Sequence, residues 1–365
     1  MNTVTPRVFI AATRQNDGKT TTSLGLLAAL QKHYPRVGYI KPVGQRLVAI
    51  AEQKIDEDTV LMDQVYNLNC PLVEMSPIPI EPDFTRRYLE AANYDTLVRK
   101  IHKAFDRVAW EKDFVLCEGS GHAGVGSVFD LSNARVAKIL NAKVIIVTQG
   151  GIGKPIDEVC LNQALFEKEG VEVIGVILNK VVQDKVGYVA DFARRGLKRK
   201  SLELLGVIPH RRMLCSPTVD LIREELQAER LNEAGNIQNL VSDVVLGAMG
   251  VHNTMAFFKP GVLIITPGDR EDIILAAATT QAGKGRDSLA GIVLTGDLRP
   301  NPNVLKVIRD MPFPVLLANE SSYEVASKVH DLIVKTRASD VEKIALIRDL
   351  IAENVDVKKI LNSIQ

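Results

Sequence analysis

A two-part α/β protein, whose larger part holds a doubly wound and mostly parallel sheet, is the fold this sequence predicts. Three observations predict it. At 365 residues the chain is too long for one ordinary core and divides into two domains. Apolar residues make up 46% and aromatics only 5%, the Val, Ile, Leu and Ala usage that suits buried parallel strands covered by helices. Finally, apolar runs of strand length alternate with helical patterns from Val8 to Ile208, the order that gives a parallel sheet with right-handed crossovers and helices on both faces.

Charge and cysteine usage narrow the function classes. The 45 basic and 44 acidic side chains leave a formal charge of +1, which argues against a nucleic-acid or membrane-surface partner. Cys70, Cys117, Cys160 and Cys215 are scattered with no short metal-ligand spacing, and the chain starts without a charged-then-apolar signal segment. No apolar run reaches the roughly 18 to 20 residues that span a bilayer. The expectation is a soluble cytoplasmic protein.

The first strand, from Val8 to Ala11, leads into the polar turn Thr13-Arg14-Gln15-Asn16-Asp17 and then Gly18-Lys19-Thr20-Thr21, where a helix begins. Strand, loop and helix start in that order are the context of a phosphate-binding loop. Gly18 lets the backbone approach an anion, the first helical amides point at it, Lys19 adds a cation, and the Thr20 hydroxyl suits Mg²⁺. The usual pattern has a glycine five residues before Gly18, and Thr13 stands there instead. Candidate nucleotide contacts are Thr13, Asn16, Gly18, Lys19, Thr20 and Thr21.

Pro35 stops the first helical pattern, and Val37 to Val43 reads as a second strand with Lys41 at its carboxyl end, the edge at which open α/β sheets bind ligands. Asp56-Glu57-Asp58 precede an apolar helical stretch, so one carboxylate caps that helix while another faces the nucleotide. The proline-rich segment from Cys70 to Pro82 is expected as a surface loop. After a helical pattern from about Tyr94 to Val108, the run Phe114-Val115-Leu116-Cys117 ends in Glu118, the form expected of a carboxylate that holds Mg²⁺ directly or through water. Gly119, Gly121, Gly124 and Gly126 follow, either approaching a ligand or making a flexible loop. Three more strand and helix units complete this domain: Lys143 to Thr148 into a helix from Pro155, Val173 to Leu178 into a helix from about Val186 to Leu205, and a short strand Leu204 to Ile208. The basic run Arg194 to Lys200 is read as a solvated helix face.

The alternation pauses between Pro209 and Pro217, where the domain boundary is placed. Strands are expected at Gly261–Thr266, Ala290–Thr295 and Phe313–Leu317, with polar turns at Pro267-Gly268-Asp269-Arg270 and Thr295-Gly296-Asp297 that hold a ligand or cap helices. The charged, amphipathic end reads as two short helices. The expected domains are residues 1–210, 217–335 and a helical extension at 336–365.

Residues 6–210 resemble the dethiobiotin synthetase family of P-loop NTPases, which belongs with the cobyrinic acid diamide synthases and MinD-type ATPases. The resemblance rests on Ala12 to Thr20, Lys41-Pro42-Val43, Glu118-Gly119-Ser120-Gly121 and Leu178-Asn179-Lys180, in that order. The whole chain resembles the amino-terminal half of long bacterial phosphotransacetylases, in which such a domain precedes a DRTGG domain. The acetyl-transferring domain of those enzymes is not part of the resemblance, so phosphotransacetylase activity is not expected. What the resemblance implies is a Mg-ATP site: Lys19 on the β and γ phosphates, Thr20 and Glu118 on Mg²⁺, with Asp58 or Asp56 as a third metal-site acid. It also implies Lys41 on an activated carboxyl group, Asn179 at the adenine edge, and a homodimer. Arg14 stands where MinD-type ATPases carry a signature lysine, and a solvent-facing side chain is the simpler expectation. The segment after Lys41-Pro42-Val43 departs from dethiobiotin synthetases, continuing Gly44-Gln45-Arg46 in place of small hydroxyl residues, which argues against dethiobiotin as the product. Two functions follow as expectations. One is a regulatory or accessory Mg-ATP-binding module that senses a small-molecule ligand. The other is an ATP-dependent ligase or synthase that activates a small carboxylate through an acyl phosphate, with Lys19 and Lys41 as its catalytic pair.

Overall fold

The computed structural model describes residues 2–281, 283, 288–332 and 334–364. The chain divides into two compact units, one made of residues 1–210 with 336–365 and the other of residues 211–335. Both are α/β, as the sequence pattern predicts.

The first unit is built on six parallel strands: β1 (Arg7–Ala12), β2 (Val37–Ile40), β3 (Phe114–Glu118), β4 (Lys143–Gln149), β5 (Val173–Val181) and β6 (Leu204–Pro209). Their order across the sheet is β6-β5-β4-β1-β3-β2. β1 is buried along its whole length, which is why it reads as an unbroken apolar run. The chain leaves β1 toward β2 on one side and returns from β3 to β4 on the other, so the strand order reverses around β1. The crevice at the carboxyl ends of β1 and β3 is therefore the place where such sheets bind ligands.

Helices α1 (Lys19–Gln31), α2 (Glu57–Tyr66), α3 (Tyr94–Val108), α4 (Lys154–Lys168) and α5 (Val186–Lys198) connect the strands. The helix expected to run to Leu205 ends at Lys198, because the chain turns at Ser201, in the left-handed region with φ +57°, to enter β6. Residues 70–82 are not simply a surface loop. They form a single helical turn, Leu72–Met75, and a two-residue strand, Ile78–Pro79, that pairs in parallel with Val43–Gly44. Met75 and Ile78 are buried there, and the Met75 carbonyl accepts the Lys41 amide at 2.8 Å.

The second unit holds five strands: β7 (Glu229–Arg230), β8 (Asp243–Leu246), β9 (Val262–Pro267), β10 (Gly291–Thr295) and β11 (Val315–Leu317), in the order β7-β11-β10-β9-β8. Only β7 runs antiparallel to its neighbour. Alternate strand residues face opposite helix layers. Ile264, Ile292, Leu294 and Val315 pack with Ile273 and Ile274 of α7 (Glu271–Gln281) and with Val304 and Ile308 of α8 (Pro302–Arg309). Leu263, Ile265, Val293 and Leu316 pack with Ile222 of α6 (Val219–Leu226) and with Val325 and Val329 of α9 (Ser322–Asp331).

The chain re-enters the first unit at Thr336 and forms α10 (Val341–Asn354) and α11 (Val357–Ile364). These residues are an integral part of that unit and not an extension beside it. α10 lies against α1, so closely that a Cβ on Gly25 would stand 2.2 Å from Ile351 Cγ1. A helix covered by the sheet on one side and by α10 on the other has no solvent stripe, which accounts for the apolar circumference of α1. Among the described residues no helix is long and apolar enough to cross a membrane.

Candidate functional site

Two groups of side chains meet at the carboxyl edge of the first sheet. The first surrounds the turn between β1 and α1. Thr13 is drawn onto the sheet by its amide, which donates to Val147 O at 3.0 Å, and by its hydroxyl, 2.8 Å from that of Thr148. Gly18 caps α1 at φ +95°, and a Cβ there would lie 2.0 Å from Asn179 Nδ2. Both the left-handed backbone and the close side chain therefore require glycine. Asn179, nearly buried at the end of β5, donates to Asp17 O at 2.9 Å and accepts the Lys180 amide at 2.8 Å. Lys180 reaches back to Asn16 O at 2.7 Å. The amide of Asn179 thus supports the loop backbone from below. Thr21 stands half-buried in the first turn of α1.

The second group is ionic. Lys41 follows β2 and is buried, with its ammonium 3.0 Å from Asp56 Oδ1, paired to Asp58, and 3.9 Å from Glu118 Oε1. Burial opposes the charge on Lys41, but Asp58, Asp56 and Glu118 outweigh it and hold its pKa above the usual lysine range. Asp56 has a second task. As the N-cap of α2 it accepts the Asp58 amide at 3.0 Å, and its other oxygen accepts the Gln45 amide at 3.0 Å. Asp58, in the first turn of the helix, is partly buried, yet Lys41 draws its pKa below the normal carboxylate value.

Glu118 ends β3 and is fully buried. It accepts hydrogen bonds from Thr20 Oγ1 and from Tyr39 OH, both at 3.1 Å. Burial, with Asp58 nearby, raises its pKa in spite of Lys41 and Lys19. Burial and the neighbouring Lys41 lower that of Lys19, although Glu118 and Asp58 favour its charge. Two ammonium groups and three carboxylates are thus gathered beside the start of α1. The structure brings Lys19, Thr20, Lys41, Asp56, Asp58 and Glu118 together, with Thr13, Asn16, Gly18 and Asn179 around the adjoining loop.

Five contributors escaped sequence reasoning. Tyr39 lies two residues before Lys41 and so on the same side of the extended chain, a signal that was available. Lys180 is adjacent to Asn179 and was equally visible. Asp17 was hidden by its place inside a polar loop. Glu158, on α4, pairs with Arg14, so the half-exposed Arg14 is an ion-pair partner and not only a solvent-facing group. Asn133 was also missed: its side chain accepts the Ser120 amide at 3.0 Å and donates to Ser120 O at 2.7 Å, pinning the glycine-bearing turn after Glu118.

Residues 6–218 match the AAA domain family and residues 221–332 match the DRTGG domain. Phosphate acetyltransferase of Pseudomonas aeruginosa is 32% identical over 365 residues, covering 95% of this chain and 50% of that protein. The phosphate acetyltransferase of Pseudomonas putida is 30% identical over 95% of this chain and 50% of its own length, and that of Synechocystis sp. is 29% identical over 98% and 52%. The chain spans about half the length of the curated relatives it matches.

Proposed function

The chain belongs to the AAA domain family, with a P-loop NTPase-like first unit and a DRTGG domain in its second, and on that premise we propose that it binds ATP as the Mg²⁺ complex and acts as a regulatory module. The observation that carries the reading is the convergence of Lys19, Thr20, Asp58 and Glu118 at the amino end of α1, beside a loop closed around Gly18. Helix amides and Lys19 suit the β and γ phosphates.

The donor set fits Mg²⁺. Thr20 Oγ1, Asp58 and Glu118 are hard oxygen donors beside one another, where the Lys41 ammonium already marks a place for positive charge. Among the described residues no group of three His, Cys, Asp or Glu side chains is placed to hold a metal ion by itself, so the ion would have to take its other ligands from phosphates and water. Bound there, the ion would neutralise phosphate charge. Lys41 would balance the acids or turn toward the outer phosphate, Asp56 would hold α2 in place, and Tyr39 would fix the Glu118 carboxylate. In this reading the second unit, carrying the DRTGG domain, senses a small-molecule ligand.

Lys41 also favours a second reading, in which a small carboxylate attacks the γ phosphate and Lys19 and Lys41 stabilise the charge that develops. Carboxylate-stimulated phosphate release would select this ligase-type chemistry over the regulatory one.

The test is calorimetric. Lys19→Ala is expected to remove most Mg-ATP binding, and wild-type binding is expected to weaken markedly when Mg²⁺ is chelated. Wild-type-like affinity in a folded Lys19→Ala variant would sink the proposal.

A further inference from the structure

A loop that wraps an anion with its amides binds well only if it is ordered beforehand, because any ordering left to the moment of binding is subtracted from affinity. In this chain Thr13 stands where glycine is usual, and the turn from Thr13 to Gly18 is closed by one side chain. Asp17 is 1% exposed. A single oxygen, Oδ2, accepts from the Arg14 amide at 2.8 Å and from Thr13 Oγ1 at 2.7 Å, tying the end of the loop to its beginning. The Asp17 carbonyl is held by Asn179 at 2.9 Å, and the carbonyl of Asn16, in the left-handed region at φ +65°, by Lys180 at 2.7 Å. The remaining oxygen, Oδ1, is buried and bonds no described residue.

An unpartnered buried carboxylate oxygen is unfavourable, and a negative charge three residues before Thr20 has the wrong sign for a loop that receives phosphates. Glu158 on α4 adds to the unfavourable field, while Lys19 opposes it. The bonds of Asp17 favour anion binding and its charge opposes it, so substitution can separate the two.

We infer that Asp17 is a positioning residue, whose carboxylate closes the phosphate loop in place of the missing glycine. The role rests on the nucleotide reading above. In Asp17→Asn the amide oxygen can take over both bonds of Oδ2 while the charge is gone. In Asp17→Ala the bonds are lost.

The experiment measures Mg-ATP affinity, amide hydrogen exchange of residues 14–18 without ligand, and ligand-free melting, for the wild type and both variants. Asp17→Ala is expected to bind about ten- to a hundredfold more weakly, the range for losing hydrogen bonds to a charged group, and to exchange faster in the loop. Asp17→Asn is expected to exchange like the wild type and to bind as tightly or more tightly. Wild-type affinity and exchange in Asp17→Ala would overturn the inference, as would an Asp17→Asn protein that matches Asp17→Ala in both. A wild type that binds no nucleotide, with loop exchange still faster in Asp17→Ala alone, would overturn the nucleotide reading and leave the loop closure standing.

Discussion

Glu118 carries its charge at a cost. No part of it reaches solvent, and burial together with Asp58 lifts its pKa above the ordinary 4.5. A carboxyl whose pKa is higher in the folded than in the unfolded protein contributes stability that is fully present below the unfolded value and is lost as pH rises through the folded one. Glu118→Gln, neutral throughout, is therefore expected to leave the ligand-free protein as stable as the wild type at pH 7 or more so, with the gap closing as pH falls toward 4.5. Paired thermal melts across that range check this. The same variant is expected to lose Mg²⁺-dependent nucleotide binding, because one of the three oxygen donors has gone. A protein that melts several degrees lower without ligand, yet keeps its whole Mg-ATP stabilisation, would make Glu118 a structural acid. Lys41, Asp58 and Glu118 were legible as candidates because each stands just after an apolar strand or at a helix start. Tyr39 was legible only through its two-residue spacing from Lys41, and Glu158 was not legible at all, since an acid inside a helix carries no local mark of what lies opposite.

At the scale of elements, the close contact between α1 and α10 has a measurable cost attached to one methyl group. In an isolated helix Gly25→Ala should help, by about 1 kcal/mol of helix propensity. Here the new Cβ would meet Ile351 and Ile347 O, at 2.2 and 3.0 Å, and the second atom is backbone that cannot swing aside. Overpacking of this kind typically costs about 1–3 kcal/mol, so the substitution is expected to lower the urea midpoint of the first unit. Combined with Ile351→Ala it should cost less than the two changes summed, because truncating Ile351 makes the room that alanine at Gly25 requires. Fully additive losses would show that the helices adjust independently. The alternation of strands and helices was readable from apolar runs and turn residues, whereas the reason for Gly25 lies in a segment far along the chain that local pattern cannot connect to it.

Across the whole molecule, the first unit is made from two separated stretches of sequence, and a cut near Pro209 does not respect it. Ile344, Ile347, Leu350 and Ile351 of α10 are buried, and Val355 bridges to Gly206 of β6, so residues 1–210 alone would bare the outer side of α1 and the edge of the sheet. That fragment is expected to be unstable or to aggregate. Residues 1–210 joined by a flexible linker to 336–365 are expected to fold, and residues 211–335 to fold by themselves around their own five-stranded sheet. Circular dichroism and urea melts of the three pieces test this, and a cooperative, wild-type-like melt of 1–210 alone would refute it. The same discontinuity sets a schedule for biosynthesis. A ribosome adding about 5–20 residues per second finishes the phosphate loop early and then spends on the order of ten seconds on the second unit before α10 can emerge. Throughout that interval the nascent helix α1 has its apolar outer side uncovered, the kind of exposed surface that makes a half-made chain prone to aggregate.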